Sequence, residues 1–224
     1  MKFDVLVSGM MVVDILAVIP KGVNQGGKQE VSNILIQGGA PAGNGACFIA
    51  KSGLKTKFVG YKNDSTLSLI AKEEFKKCDV DTSLLVEKEG FQPAIAIVEV
   101  DEENGERTVF YSTNNYSPLA IKDIKEEWVK NSKLLFVDGY DIHGNIELLK
   151  LAKKHNIPSV LDIEAGDISL LREMISLGTH TILPLEGAQE ISGFQKPEDC
   201  IRSLQNLSEG KIIITDGANG SWVL

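Results

Sequence analysis

Between Leu134 and Asp162 the chain reads LLFVDGYDIHGNIELLKLAKKHNIPSVLD, and this stretch decides the fold class. Leu134 to Val137 is a short apolar run of the kind buried in a parallel sheet. Asn145 to His155 reads as a helix, and Ser159 to Asp162 as a second strand. The alternation continues with a helix over Ile168–Leu177, a strand over Thr181–Leu183, helices over Glu186–Ser192 and Glu198–Leu207, and a strand over Lys211–Thr215. Strands alternating with helices of this length imply βαβ units, right-handed crossovers and a parallel sheet. Nearer the amino end, Val5 to Gly9 is a strand stopped by Ser8-Gly9. A helix over Gly45–Ser52 carries Ala46, Ile49 and Ala50 at helical spacing and ends at Gly53. Lys57 to Gly60 is a strand. Ser65 to Lys77 is an amphipathic helix with Leu69, Ile70 and Phe75 on its apolar side. The fold class is α/β.

Two segments depart from the alternation. Val12 to Ile19 is a strand with Asp14 inside it, KGVNQGGKQE (Lys21–Glu30) is a turn or flexible loop, and Val31 to Ile36 is another strand. Over residues 92–113, Ala94, Ala96 and Val98 interleave with Ile95, Ile97 and Glu99, and the chain returns over Arg107–Tyr111. Asn104-Gly105 between them is a hairpin signal. With too few helices to cover both faces, these strands form a small sheet apart from the main one.

Composition narrows the function classes. The chain has 224 residues, 43% of them hydrophobic and 24% charged, which is globular. Its 23 basic residues stand against 31 acidic ones, a net charge of −8 that argues against nucleic-acid binding. A phosphorylated small molecule is compatible, because backbone N–H groups can meet its charge locally. Cys47, Cys78 and Cys200 make neither a CxxC nor a disulfide framework, so a reducing cytoplasm is expected. Asp4 interrupts what a signal peptide would need, and no apolar run approaches the ~18–20 residues of a membrane span. No membrane partner is expected. The three histidines show neither triad nor metal spacing.

Three features carry candidate chemistry. A buried carboxylate is costly unless hydrogen-bonded. Placed at the carboxyl end of a strand, Asp14 would face the crevice where open α/β sheets bind ligands, and an aspartate accepting two hydroxyl protons suits a sugar diol. A strand-end aspartate capping a turn is the alternative. Next, Gly38-Gly39-Ala40-Pro41-Ala42-Gly43-Asn44 opens a helix with small residues that allow close approach, and Asn44 offers donor and acceptor together. Packing or a cap is the alternative there. It is neither a dinucleotide fingerprint nor a P-loop. Last, Thr215-Asp216-Gly217-Ala218-Asn219-Gly220 follows an apolar strand, and its hydroxyl and glycine N–H groups suit a nucleotide phosphate. An ordinary turn between strands fits too. Asp138 and Asp162 also stand at strand ends. The runs KEEFKK and KDIKEEWVK read as solvated helix faces, and His155 as a favourable contact with a helix dipole.

Taken in order, these features resemble the PfkB (ribokinase-like) carbohydrate kinases. The likeness extends through KFVGYKND, NGERTVFYSTNN, FVDGYDI, VLDIEAG and IIITDGANGSWVL, and so covers essentially the whole chain. It implies a three-layer α/β/α sandwich around a mostly parallel sheet, with a small β-sheet lid formed from about 12–36 and 92–113. It implies transfer of the ATP γ-phosphoryl to a sugar or related hydroxyl compound with Mg²⁺. Asp14, Gly38, Gly39 and Asn44 would hold the substrate, and Thr215, Gly217 and Gly220 would contact ATP. The resemblance is imperfect in two places. GGAPAGN carries a one-residue insertion, and at LPLEGAQEISG Leu185 and Ala188 replace the usual Asn and Glu, leaving Glu186 as a substitute near the metal. The family's GAGD segment, with the aspartate that takes the hydroxyl proton, would lie beyond Leu224, so this sequence offers no catalytic base and looks cut.

The leading expectation is therefore an ATP-dependent sugar kinase, with a nucleoside or sugar phosphate also possible as substrate. A non-catalytic sugar-binding or dimerisation protein on the same fold is the alternative, and a nicotinamide-dependent oxidoreductase lacks its fingerprint. Unpaired strand edges invite pairing, so a homodimer through the lid, by the 92–113 hairpin and its neighbours, is expected.

Overall fold

The structure, a computed structural model, describes residues 2–20 and 26–224. Residues 21–25, the first half of the loop expected over Lys21–Glu30, lie outside the described residues. The main sheet is built from β1 (Val5–Ser8), β4 (Thr56–Val59), β9 (Leu134–Asp138), β10 (Ser159–Asp162), β11 (His180–Pro184), β12 (Lys211–Thr215) and β13 (Ser221–Val223). Its order is β13-β12-β11-β10-β9-β1-β4, parallel throughout except for β13. Helices α1 (Pro41–Lys51) and α2 (Thr66–Lys77) cover one face. The other face packs against α3 (Glu126–Lys130), α4 (Ile142–Lys154), α5 (Ile168–Leu177), α6 (Leu185–Ser192) and α7 (Pro197–Gln205). Side chains of a strand alternate between faces. Val5 and Val7 thus join Ala46, Ala50, Phe58 and Phe75 under α1 and α2, whereas Leu6, Leu135 and Val137 join Leu149, Leu161 and Met174 in the opposite layer. This is the expected three-layer sandwich.

From β1 the chain crosses outward to β4, and from β9 it steps the other way through β10, β11 and β12. The boundary between β1 and β9 is a topological switch point, where the carboxyl ends of the strands leave a crevice. The lid stands over it. It consists of β2 (Val12–Ile19), β3 (Ile34–Gly39), β7 (Ala94–Asp101) and β8 (Arg107–Ser112) in the order β3-β2-β7-β8. Two short strands, β5 (Tyr61–Lys62) and β6 (Val86–Glu87), pair in a sheet of their own. The hairpin between β7 and β8 closes through Asp101 and Glu106, with Gly105 in the left-handed region at φ 72°.

Several expectations needed correction. β3 runs to Gly39 where the sequence suggested Ile36, because Gly38 and Gly39 continue the ladder opposite Val13 and Val12. The helix after it starts at Pro41, four residues before the expected Gly45. Proline at the first helical position has its φ preset and needs no N–H partner. GGAPAGN is therefore a strand end, one hinge residue and a first helical turn. Leu69 is 51% exposed, since α2 turns Ser68, Ala71 and Phe75 to the core, and residue 69 lies about 100° around the helix from its neighbour. In KDIKEEWVK the expected solvated face is broken by Trp128 and Val129, which α3 buries against the core. His155 is the C-cap residue of α4, and its Nε2 meets Glu126 Oε1 at 2.6 Å.

Candidate functional site

The crevice floor is set by one carboxylate. Asp138, at the end of β9, is fully buried. Its Oδ2 accepts from the Met10 N–H (2.9 Å) and the Ala42 N–H (3.3 Å), and its Oδ1 from the Tyr140 N–H (3.0 Å). Those amides belong to the exit from β1, the first turn of α1 and the turn after β9, so one side chain ties three segments at the switch point. Gly9 is required beside it, because a Cβ there would overlap both the Asp138 carboxyl and the Ala42 side chain. Burial first, then the nearby Asp141, pushes the Asp138 carboxyl up to about 7, and the three amides oppose that rise. Burial likewise pushes Asp141 up to about 6, against hydrogen bonds from the Tyr116 hydroxyl (2.5 Å) and the Leu119 N–H (3.1 Å).

Above this floor, the inner lid face and the carboxyl ends of β9 and β10 line a cavity of about 820 Å³. Asp14 sits on its lid wall as the third residue of β2, near the start of that strand and not at its carboxyl end. The ladder fixes its direction: Asp14 pairs with Gln37 on one side and Ala96 on the other, and all three face the cavity. Gly39 lies diagonally behind it, and a Cβ at Gly39 would collide with the Asp14 carboxyl. Glycine is needed there so that the carboxylate can lie back against the strand. Asp14 accepts no hydrogen bond among the described residues. Burial raises its carboxyl, and the charge of Arg107 on β8 draws it back down.

Asn44, in the first turn of α1, reaches the same cavity and is exposed to it. The structure thus brings Asp14 and Asn44 to one chamber with Gly39 as backing. Gly38 faces the other way, where a Cβ would stand 3.3 Å from Glu74 Cβ on α2. Between strand and helix, Ala40 holds φ 67° and ψ 155°, a conformation almost confined to glycine, on the cavity wall.

The opposite wall is acidic. Asp162 ends β10, and burial followed by the neighbouring Glu164 raises its carboxyl. Glu164 accepts from the Tyr140 hydroxyl at 2.9 Å. Glu186 lies exposed at the start of α6 and does not line the cavity. Among the described residues no group of three or more His, Cys, Asp or Glu side chains is placed to hold a metal ion. Magnesium bound with a nucleotide takes only one or two protein carboxylates and keeps several waters, and Asp162 with Glu164 fits that donor set.

Thr215, Gly217 and Gly220 lie together in the turn between β12 and β13. The Asp216 N–H donates to the Gly220 carbonyl (2.8 Å), and Trp222 Nε1 donates to Asp216 Oδ2 (3.3 Å). Gly217 and Gly220 hold φ 49° and 97°, and a Cβ at either would meet nothing within 4 Å. The turn is open to solvent. It shares the carboxyl edge of the sheet with the β1 exit, four strand spacings or ~19 Å away.

Reading the residues in order missed Arg107, Gln37, Tyr111 and Glu164, all of which line the chamber. Gln37 lies on a face set by ladder register, so only the pairing reveals it. A period of two running back from Asn104-Gly105 would have placed Arg107, Val109 and Tyr111 on one side.

The pfkB family carbohydrate kinase pattern matches residues 3–224. A 5-dehydro-2-deoxygluconokinase of Bacillus licheniformis is 27% identical over 171 residues, covering 73% of this chain and 51% of that relative. A ketohexokinase of Mus musculus is 22% identical, covering 90% of this chain and 70% of that one. The chain thus spans about half the length of the first of these relatives. In fold it is similar to a ribokinase of Arabidopsis thaliana solved with ribose and ATP, at a TM-score of 0.80 and 18% identity, over 100% of this chain and 75% of that structure.

Proposed function

The chain belongs to the pfkB family of carbohydrate kinases, and from that premise we propose that its cavity holds a sugar or related hydroxyl compound for phosphorylation by ATP. The observation that carries this reading is Asp14: a partly buried carboxylate on a cavity wall, backed by a required glycine and given no donor by the described residues. Such a group recovers its hydration loss when ligand hydroxyls donate to it, and charge-assisted bonds of this kind are the strong ones. Asn44 would add a donor and an acceptor, and the lid would keep water from competing for the phosphoryl group.

The open turn at Thr215, Gly217 and Gly220 would take the nucleotide phosphates, and Asp162 and Glu164 would hold Mg²⁺. A bound Mg²⁺–ATP would supply the phosphoryl group and the charge neutralisation its transfer needs. The relatives are named for a dehydrodeoxygluconate and for a ketohexose, which supports an acceptor that is a sugar or sugar derivative. No helix among the described residues is long and apolar enough to cross a membrane, and three cysteines outside any disulfide are compatible with the cytoplasmic setting proposed.

Binding without transfer is the second reading. It is favoured by Leu185 and Ala188, which carry no side-chain oxygen and leave Glu186 as the one acidic side chain in the first turn of α6. Calorimetry with a sugar panel, with and without Mg²⁺–ATP, separates the two. Transfer predicts heat and ADP that require both ligands, whereas binding alone gives the same sugar heat with or without nucleotide. No heat from any sugar defeats both.

We also propose a homodimer through the lid, now by its outer face. Ile36, Ile15, Ile97 and Phe110 form one cross-strand row there, and three of the four are more than half exposed, at 54%, 51% and 58%. A row of this kind is a liability in water unless covered. Sedimentation should show a dimer at micromolar concentration that F110E dissociates. A monomeric wild type would dismiss the interface.

A further inference from the structure

The three cysteines have different surroundings. Cys200 on α7 is fully buried, and its Sγ donates to the Phe194 carbonyl at 3.3 Å. The other two adjoin. Cys47 on α1 and Cys78 at the C-cap of α2 are half-buried and pack against one apolar cluster. Both line a small cavity of about 160 Å³ behind the Gly38-Gly39 strand end. Asn44, one helical turn before Cys47, lines both this cavity and the chamber under the lid. Burial first, then a hydrogen bond with the Cys78 side chain, pushes the Cys47 thiol up to about 12.

A cysteine buried for packing alone is inert and closed off. These two are partly open, stand side by side, and come from separate helices. A disulfide needs Cα atoms about 4.4–6.8 Å apart, and a helix end can adjust to that more readily than a helix middle. Cys78 ends α2, and Asp79 after it has already left the helix at φ 62°. We propose that Cys47 and Cys78 are a peroxide-responsive thiol pair, closing reversibly to a disulfide that ties α1 to the end of α2. A water occupies ~30 Å³ in the liquid, so the cavity admits hydrogen peroxide and excludes a bulky disulfide such as oxidised glutathione.

Two steps complete the reaction. The Cys78 thiolate attacks one peroxide oxygen, the O–O bond breaks, and the departing hydroxide leaves as water with the proton that Cys78 gave up. Cys78 is then a sulfenic acid. The Cys47 sulfur attacks the Cys78 sulfur, the S–S bond forms, the S–O bond breaks, and hydroxide leaves as water with the Cys47 proton. Two thiols are oxidised and one peroxide is reduced to two waters. A thiol that keeps its proton suits the second role, because the leaving hydroxide needs one. In a reducing compartment the bridge is transient, and thiols reopen it.

The test treats the reduced chain with hydrogen peroxide, stops the reaction with catalase, alkylates the remaining thiols and maps the peptides by mass spectrometry. The expected product is a single chain lighter by two hydrogens, with the Cys47 and Cys78 peptides linked and Cys200 alkylated once the chain is unfolded. A bridge closing a loop of roughly 30 residues should raise the thermal midpoint by roughly 5–10 °C, and dithiothreitol should reverse both changes. In C47S, dimedone should capture a sulfenic acid on Cys78, and C78S should give several-fold less capture on Cys47. Thermal unfolding confirms that both variants are folded. Thiols that both stay alkylatable, a link between chains, or a bridge to Cys200 overturns the pair. A mapped bridge that lowers the midpoint overturns the tie between the helices, and dimedone captured mainly on Cys47 of C78S overturns the order of the steps. Each of these results leaves the sugar site standing.

Discussion

Asp14 and Asp138 stand on opposite sides of one crevice and illustrate two uses of a carboxylate. Asp138, on the floor, is fully buried and takes three backbone N–H bonds from three segments. Asp14, on the lid, is partly buried and takes none from the described residues, although a glycine has been kept behind it to make room. Both carboxyls are raised by burial. The difference lies in who supplies the compensating donors: the protein's own backbone for Asp138, and a ligand for Asp14. The fold consumes one carboxylate and presents the other. The floor and the lid therefore answer to different measurements.

The largest expected effect breaks the floor. D138A leaves three buried amides without acceptors, each worth about 1–3 kcal/mol, so unfolding free energy should drop by ~3–5 kcal/mol. D14A should change it by less than ~1 kcal/mol. Urea midpoints decide this, and equal losses would erase the distinction. The second effect is its mirror: D14N should weaken the tightest sugar ligand by roughly 10- to 100-fold while its thermal midpoint stays close to wild type. A D14N chain that binds as before would remove Asp14 from the site.

The third effect follows from titration. Carboxyls held at about 7 for Asp138 and about 6 for Asp141 keep their protons in the native state after the unfolded chain, near 3.8, has lost them. The native state then binds more protons, so these two groups stabilise the fold most below pH ~4, and that contribution is lost as pH rises toward 7. Urea midpoints taken from pH 4 to 7 should show this decline, and D141N should make it shallower. A wild-type profile that rises through the window, with D141N parallel to it, would contradict the placement of these protons. The smallest effect concerns the hinge between lid and helix. A40G relieves a glycine-type conformation and should stabilise by ~1 kcal/mol, read as a small rise in thermal midpoint. A fall would show that Ala40 is not strained.

The same contrast shows what could be read without coordinates. Strands such as Val12–Ile19, Ser159–Asp162 and Lys211–Thr215 were legible to the residue, because short apolar runs bounded by polar residues have few other uses. Boundaries failed where tertiary pairing decided them. Gly38 and Gly39 look like loop residues until Val12 and Val13 pair with them. Asp14 stood out because a charge within an apolar strand is conspicuous. Arg107 did not, because an arginine beside a hairpin turn looks like any solvated residue until the register turns it inward. Asp138 was noticed as a strand-end carboxylate, but only the meeting of Met10, Ala42 and Tyr140 around it reveals a structural role. Sequence displays the chemistry of single residues, and assembly decides which of them meet.

The most direct test is a crystal structure of this chain with its tightest sugar ligand. The account predicts the ligand in the chamber under the lid, two of its hydroxyls within about 2.5–3.0 Å of the Asp14 carboxylate and Asn44 in contact with it, while Asp138 keeps all three amide bonds. Ligand density elsewhere on the molecule, or an Asp14 carboxylate turned onto the protein's own backbone with the sugar bound, would contradict it.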